Sequence, residues 1–181
     1  MQKQLNHYEF KQSQKQNNND IIFVLDNLEH AENIGSAFRL ADAFNIKKII
    51  IINKNSLDFK KIEKTARNCE KSISYSVYDN AGEAIKEIEK LNYTPINVEI
   101  TSTSKPLREI NFAKLKKVAL IVGNERFGVS DEILNLVPIS CHIEMYGNNS
   151  SMNVATSLAI AAYKVSEDFM SCKKKIKEIE A

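Results

Sequence analysis

The stretch Val118-Ala-Leu-Ile-Val-Gly-Asn-Glu-Arg-Phe-Gly-Val-Ser130 joins five apolar residues to a polar loop that contains two glycines. The apolar residues, three of them β-branched, have the length and composition of a buried strand. Ser130 is a favoured helix cap, so a helix is expected to begin just after it. The stretch therefore predicts a strand, a tight loop and a helix in succession, which is the repeating unit of an α/β fold.

The same unit recurs along the chain. Other short apolar runs of strand length lie at residues 21–25, 48–52, 73–77, 95–100 and 141–145. Helical patterns are expected at about residues 34–45, 58–69, 80–91, 130–136 and 151–170. Strands that alternate with helices predict a mostly parallel sheet with helices on both faces.

The composition places this fold in one compact domain. The chain has 181 residues, of which 43% are hydrophobic and 27% charged, and a chain of this length can bury a single sizeable core. The presence of only 5 glycines and 3 prolines excludes collagen-like and Gly/Pro-rich disordered classes. We expect a polar arm at residues 1–20, the folded domain at 21–170 and a charged tail at 171–181. For the tail, a solvated face is favoured over a dedicated RNA contact.

Cysteine content and hydropathy indicate a cytoplasmic protein. The three cysteines form neither a Cys-x-x-Cys pair nor a disulfide framework, which fits a reducing compartment. No apolar run approaches the roughly 20 residues that span a bilayer, and the N-terminus lacks the apolar core of a signal peptide. The net charge of +2 gives no indication of a partner.

The first unusual segment follows the first strand. Ligands of open parallel sheets bind beyond the carboxyl ends of the strands, so such segments are the places to look for a site. Asn33 is expected near a helix N-cap and Gly35 in the first turn of that helix. Ordinary helix initiation explains both residues, but it does not explain Arg39 among apolar neighbours, and we favour a functional role for Arg39.

Two further segments follow the fifth and sixth runs. Gly123-Asn-Glu-Arg-Phe-Gly128 predicts a tight loop whose backbone amides face a ligand. A plain strand-turn-helix corner explains the two glycines but not the Asn, Glu and Arg between them. After the sixth run, Gly147 and a cluster of small hydrogen-bonding side chains lead into a helix rich in alanine and serine. Tight helix packing accounts for the alanines and leaves Ser151 and Asn153 without a role.

Several common sites are missing from the sequence. The dinucleotide pattern G-x-G-x-x-G, the Walker pattern and the hydrolase pattern G-x-S-x-G are absent. The three histidines do not lie at metal-ligand spacing, so no metal site is expected.

The three segments, taken in order, resemble the sequence motifs of the SpoU (TrmH-like) family of SPOUT RNA methyltransferases. Asn33-Ile-Gly-Ser-Ala-Phe-Arg39, Gly123 to Ser130 and Ile143 to Val154 match the three motifs. The chain departs from the pattern at Glu144, which replaces a proline, and at Met152, which replaces a leucine. The methionine keeps an apolar wall, whereas Glu144 is expected to put an acid beside the cofactor pocket.

The resemblance implies a C-terminal deep trefoil knot, the SPOUT fold, and a homodimer. It also implies S-adenosylmethionine as the cofactor and methyl transfer to a ribose 2′-hydroxyl of RNA. We prefer tRNA to rRNA, with a D-loop guanosine as the specific expectation. The residues that would line the cofactor pocket are Thr101, Gly123, Asn124, Ile143, Met145 and Met152.

The resemblance further implies that Arg39 acts in catalysis. Because the pKa of arginine lies above about 12, we favour a clamp on a neighbouring phosphate over a direct proton acceptor. Asn33, Ser151 and Asn153 would orient the ribose and Arg39, with Glu125 holding the group together.

Two alternatives remain at the level of sequence. A non-catalytic RNA-binding protein could retain the same fold, although the presence of the five expected catalytic residues argues against it. A flavodoxin-like nucleotide-binding module predicts affinity for a flavin or a nucleoside phosphate rather than for S-adenosylmethionine.

Overall fold

The computed structural model of the chain describes Gln4 and residues 20–179, with side chains through residue 172. Most of the arm expected at residues 1–20 therefore lies outside the described residues, as do residues 180–181. Among the described helices, none is long and apolar enough to cross a membrane.

Seven strands form a single sheet within residues 20–179. They are β1 (Ile21–Asp26), β2 (Lys48–Ile52), β3 (Tyr75–Tyr78), β4 (Thr94–Val98), β5 (Lys105–Pro106), β6 (Val118–Val122) and β7 (Ser140–His142). Their order across the sheet is β3-β2-β1-β6-β4-β7-β5. Every neighbouring pair in this part of the chain runs parallel, which confirms the predicted parallel sheet.

Helices cover both faces of the sheet, as predicted. They are α1 (Ala31–Ala43), α2 (Phe59–Ala66), α3 (Ala81–Lys90), α4 (Asp131–Leu136) and α5 (Val154–Ile179). Helices α1, α2 and α5 pack in the larger apolar core on one face, and α3 and α4 pack in a second core on the other. The central strands β1 and β6 are buried along their whole length because both of their faces are covered.

The structure differs from the sequence-based expectation at the C-terminal end of the sheet. Strand β5 has only two residues and was not expected, since so short a run carries no periodic signal. Helix α5 begins at Val154 rather than at residue 151 and continues to Ile179, so the boundary expected at residue 170 falls inside a helix.

The direction of the helical connections changes between two adjacent strands. Helix α1, which follows β1, lies on one face of the sheet, whereas α4, which follows β6, lies on the other. Connections that leave neighbouring strands in opposite directions open a crevice at their carboxyl ends, where ligands of such sheets bind. Near the other edge, β7 lies between β4 and β5, two strands that follow one another in the sequence.

Candidate active site

A cleft of about 530 Å³, called here the principal cleft, opens beyond the carboxyl ends of β4, β6 and β7. This volume lies within the range of small-molecule sites, roughly 300–1,000 Å³. Its walls are formed by residues 98–100 and 122–128 and by part of the segment 142–157. His30 and Asn33, at the start of α1, also line it.

The structure brings most of the expected cofactor residues into this cleft. Five of them line it, namely Gly123, Asn124, Ile143, Met145 and Met152. Thr101 is not on the lining, but it follows Ile100, which is. Within the described part of the chain, the buried Thr101 hydroxyl has no hydrogen-bond partner.

Four of the five expected catalytic residues also line the principal cleft: Asn33, Glu125, Ser151 and Asn153. Arg39 is exposed and does not. Six residues along a helix amount to a rotation of about 600°, so Arg39 leaves α1 roughly 120° away from Asn33.

Glu125 ties the helix α1 to the loop after β6. Its Oε1 atom accepts hydrogen bonds from Asn33 Nδ2 at 2.8 Å and from the backbone N–H of His30 at 3.1 Å. Its Oε2 atom accepts a bond from the backbone N–H of Glu29 at 3.0 Å. Partial burial works to raise the pKa of Glu125, but these hydrogen bonds outweigh burial and hold the pKa below its usual value. Glu125 is therefore a fixed, ionised carboxylate at neutral pH.

Asn33 links Glu125 to the third segment. The amide of Asn33 donates to Glu125, and its Oδ1 atom accepts a hydrogen bond from Asn153 Nδ2 at 3.0 Å. Helix α1 begins at Ala31 with His30 as its cap, three residues earlier than expected, so Asn33 lies in the first turn and is not itself the cap. Asn33 is the third residue of the helix, where its side chain is available for contacts with other segments.

Asn153 has two functions in this network. Its Oδ1 atom accepts hydrogen bonds from the backbone N–H groups of Ala155 at 2.9 Å and Thr156 at 3.1 Å. These groups lie in the first turn of α5 and have no partner within the helix. Capping therefore fixes the direction in which the Asn153 amide points toward Asn33, and it explains why α5 starts at Val154.

The loop after β6 closes on itself beside the cleft. The backbones of Asn124 and Gly128 exchange two hydrogen bonds of 2.9 Å, and Gly128 has a φ of 72°, in the left-handed region. A Cβ atom at Gly123 would lie 2.1 Å from backbone atoms of Gly128 and Val129. The loop can fold this tightly only with glycine at position 123.

Glu99 was not predicted as a site residue. Its Oε1 atom accepts a hydrogen bond from the N–H of Ile100 at 2.8 Å, and its Oε2 atom accepts one from the N–H of Val129 at 3.0 Å. Glu99 thus joins the segment after β4 to the loop after β6. Its position immediately beyond a strand was the signal that could have identified it.

Glu144 does not put an acid beside the principal cleft, contrary to expectation. Its carboxylate forms an ion pair with the Arg108 guanidinium at 2.5 Å, and Glu144 is not part of the cleft lining. Its neighbours Ile143 and Met145 face the cleft instead. The chain direction across this segment turns the acidic side chain toward the preceding loop.

A parallel α/β sheet with a polar cleft at its carboxyl edge defines a ligand-binding domain of the doubly wound class. The chain belongs to the SpoU rRNA Methylase family, whose model matches residues 20–163.

Relatives with assigned names include two tRNA (guanosine(18)-2′-O)-methyltransferases. The one from Aquifex aeolicus is 26% identical over 145 residues, which cover 80% of this chain and 68% of that protein. The one from Saccharomyces cerevisiae is 27% identical over 154 residues, which cover 83% of this chain but only 11% of that protein.

Solved structures share the fold. The A. aeolicus TrmH/SpoU tRNA modifying enzyme superposes with a TM-score of 0.72 at 24% identity, over 84% of this chain and 76% of that one. The SpoU methyltransferase AviRb from Streptomyces viridochromogenes, in complex with AdoMet, gives a TM-score of 0.76 at 21% identity, over 84% of this chain and 62% of that one.

Proposed function

We propose that this chain is an S-adenosylmethionine-dependent methyltransferase that acts on a ribose 2′-hydroxyl of RNA, with tRNA preferred over rRNA. The observation that carries the proposal is the hydrogen-bonded connection of Asn33, Glu125 and Asn153 at the edge of the principal cleft. The names of the tRNA-modifying relatives support it, and a D-loop guanosine is the specific substrate that we expect.

The residues of the principal cleft fit the proposed cofactor. Apolar walls at Ile143, Met145 and Met152 suit the apolar parts of S-adenosylmethionine, and the glycine at position 123 lets the loop after β6 close tightly beside them. Thr101 follows the cleft residue Ile100, and its buried hydroxyl has no hydrogen-bond partner among the described residues. When bound, the cofactor supplies a methyl group that is already activated by a positively charged sulfur.

The chain's own residues would position the acceptor. Asn33 and Asn153 are held in fixed orientations, and Ser151 lines the same cleft. Such pre-ordered polar groups can hold a ribose in line for transfer, which contributes to rate by orientation. Ionised Glu125 keeps Asn33 in place. The proton that leaves the ribose hydroxyl would pass by way of the neighbouring RNA phosphate to water.

Arg39 is proposed as a clamp on a phosphate of the RNA. Arginine forms bidentate contacts with phosphate and does not lose its proton in proteins, so a clamp suits it better than a base. Its exposed position outside the principal cleft leaves the guanidinium accessible to a long, charged substrate.

A homodimer, a trefoil knot and a cytoplasmic location complete the proposal. Ile160 and Tyr163 are exposed on α5 and offer apolar surface to a second copy. The placement of β7 between β4 and β5 supports a knotted path, because the chain returns into a gap between strands that a single loop joins.

The test is incubation of the full chain with methyl-labelled S-adenosylmethionine and either total tRNA or total rRNA, followed by nucleoside mapping. We expect a 2′-O-methylated nucleoside in tRNA. Glu125→Gln keeps the shape of the side chain and removes its charge, so we expect it to lower the amount of label by weakening the hold on Asn33. Label in rRNA alone would show that the substrate is rRNA and not tRNA. The absence of label in both RNAs would favour the non-catalytic alternative.

Calorimetry distinguishes the remaining alternative. We expect S-adenosylhomocysteine to bind and flavin mononucleotide not to bind. The reverse result would identify a flavodoxin-like module and contradict the proposal.

A further inference from the structure

A second cleft of about 630 Å³ lies beyond the carboxyl ends of β1 and β2, and is called here the switch-point cleft. Its floor is apolar, formed by the buried residues Leu28, Ile34 and Ile62. It adjoins the crevice between β1 and β6, where the helical connections diverge. This position is the one that ligands occupy in doubly wound sheets, yet none of the residues expected to bind the cofactor, apart from Asn124, lines it.

The two clefts share a wall. His30, Asn124, Phe127 and Gly128 line both of them. A molecule with one group in the principal cleft can therefore extend into the switch-point cleft by passing over this wall. The groups proposed to hold the ribose line the principal cleft. The base and the two phosphodiester links of that ribose must therefore lie outside the position that the ribose occupies.

Phe127 gives the wall a surface for stacking. Its side chain is 73% exposed, and the Arg126 guanidinium lies 5.3 Å from the centre of its ring. Exposed aromatic rings and guanidinium planes are the groups on which unpaired bases stack.

The rim of the switch-point cleft suits a base better than a phosphate. The buried Asn53 donates to the carbonyl of Leu28 at 3.1 Å and accepts from the N–H of Asn55 at 2.9 Å, and so fixes the loop that presents Asn55 and Ser56. The side chains of Asn55 and Ser56 offer both donors and acceptors.

The charges of this rim point the same way. Glu29, Glu32 and Asp58 line the cleft together with Lys61 and His30, so carboxylates outnumber basic side chains. An acidic rim repels phosphate, whereas carboxylates accept hydrogen bonds from the N–H groups of a neutral base.

We propose that the switch-point cleft binds one unstacked nucleobase of the RNA substrate, with Phe127 as its stacking surface and Asn55 and Ser56 as its polar contacts. This proposal rests on the proposed function. The base belongs either to the nucleotide that is methylated or to its neighbour on the strand, and the same chemistry would recognise both.

The test uses the double variant Asn55→Ala/Ser56→Ala of the full chain, because both residues line only the switch-point cleft. We expect the KM for RNA to rise at least about fivefold, as for the loss of a base contact. The kcat and the affinity for S-adenosylhomocysteine should stay unchanged. Ser74→Ala/Asn135→Ala is the matched control, since both residues are exposed and line neither cleft.

Modified RNA distinguishes the two sources of the base. Abasic substitution at the methylated nucleotide, or at its neighbour, should raise the KM of the unaltered enzyme by about the same factor as the double variant. At the nucleotide whose base occupies the switch-point cleft, the double variant and the abasic substitution together should raise the KM no more than either change alone. The proposal would be overturned if the KM of the double variant lay within twofold of that of the unaltered enzyme. It would also be overturned if the effects of the double variant and of the abasic substitution on KM were fully additive at both nucleotides.

Failure of the proposed function gives a different result. If the unaltered chain labels no RNA, its RNA affinity is measured by fluorescence polarisation with the same variants. Weaker binding by the double variant alone would still support the base site, and equal binding by the double variant and its control would overturn it.

Discussion

The carboxylate of Glu144 and the guanidinium of Arg108 form an ion pair at 2.5 Å that joins the chain after β7 to the chain after β5. Arg108 also donates to the hydroxyl of Tyr146 at 3.3 Å. Residues on both sides of Glu144 line the principal cleft, so the pair fixes one of its walls from outside.

Arg108→Ala should weaken binding of S-adenosylhomocysteine by up to about fivefold, because exposed ion pairs contribute roughly 0.2–1 kcal/mol. The side chain of Arg108 is 62% exposed, which sets this modest limit. Titration calorimetry measures the change, and the loss should shrink as salt is raised. The exchange Arg108→Glu/Glu144→Arg should restore part of the affinity; no recovery would argue against the ion pair as the cause.

Gly123→Ala should destabilise the fold and abolish cofactor binding. The added Cβ would lie 2.1 Å from the backbone of Gly128 and Val129, a contact that only movement of the loop can relieve. Overpacking of this kind costs about 1–3 kcal/mol, and the loop that moves is part of the cleft. Thermal unfolding and calorimetry measure both effects.

Gly147→Ala is the matched control for that substitution. A Cβ at position 147 meets nothing within 4 Å, so stability and cofactor binding should remain unchanged. Equal losses in both variants would contradict the steric explanation.

Arg39→Ala should reduce methyl transfer by at least a hundredfold while leaving the affinity for S-adenosylhomocysteine nearly intact, since losing a group that positions the acceptor costs on the order of 10²-fold. Arg39 lies outside the principal cleft, so its loss should not disturb the cofactor. Single-turnover rates at saturating RNA provide the measurement. Arg39→Lys should recover little activity because lysine lacks the bidentate fork. Preserved transfer in Arg39→Ala would remove Arg39 from the proposed catalytic group.

The protein should lose stability in acid because the Glu125 carboxylate becomes protonated there. Its pKa in the folded state lies below the usual value of 4.5, so the ionised carboxylate stabilises the fold above that pH. The contribution is lost as the pH falls through the folded-state pKa. Urea unfolding at pH 7 and at about pH 3 measures the loss, and Glu125→Gln should reduce the difference between the two.

Glu87 behaves similarly, since burial opposes its ionisation but hydrogen bonds led by Lys48 lower its pKa overall. Some acid sensitivity should therefore survive in Glu125→Gln. If Glu125→Gln lost as much stability in acid as the unaltered chain, Glu125 would not contribute to the acid sensitivity.

The sequence predicted the sheet well because its signal is local. Runs such as Val118–Val122 combine β-branched composition with strand length, and the structure places a strand on the same residues. Ser130 was predicted as a helix N-cap, and its hydroxyl oxygen accepts a hydrogen bond from the backbone N–H of Ile133. Such features depend on a few adjacent residues.

The site was less predictable because its contacts join distant segments. Nothing near Asn33 in the sequence indicates that its amide meets Glu125 and Asn153. Gly35 was expected to serve the first turn of a helix, but its close neighbours are Thr65 and Ile62 of α2. The direction of Glu144 and the position of Arg39 likewise depend on packing that no local pattern encodes.

The position of β7 also constrains the order of folding. Strand β7 pairs with both β4 and β5, so the place between them must stay open until the chain has passed through β6 and α4. Contacts between such distant segments form slowly, because the intervening chain must first be ordered. The loop that carries Glu99 reaches its final position only when β7 has paired with β4 and β5. Affinity for the cofactor should therefore appear among the last events of refolding, after most helical structure has formed.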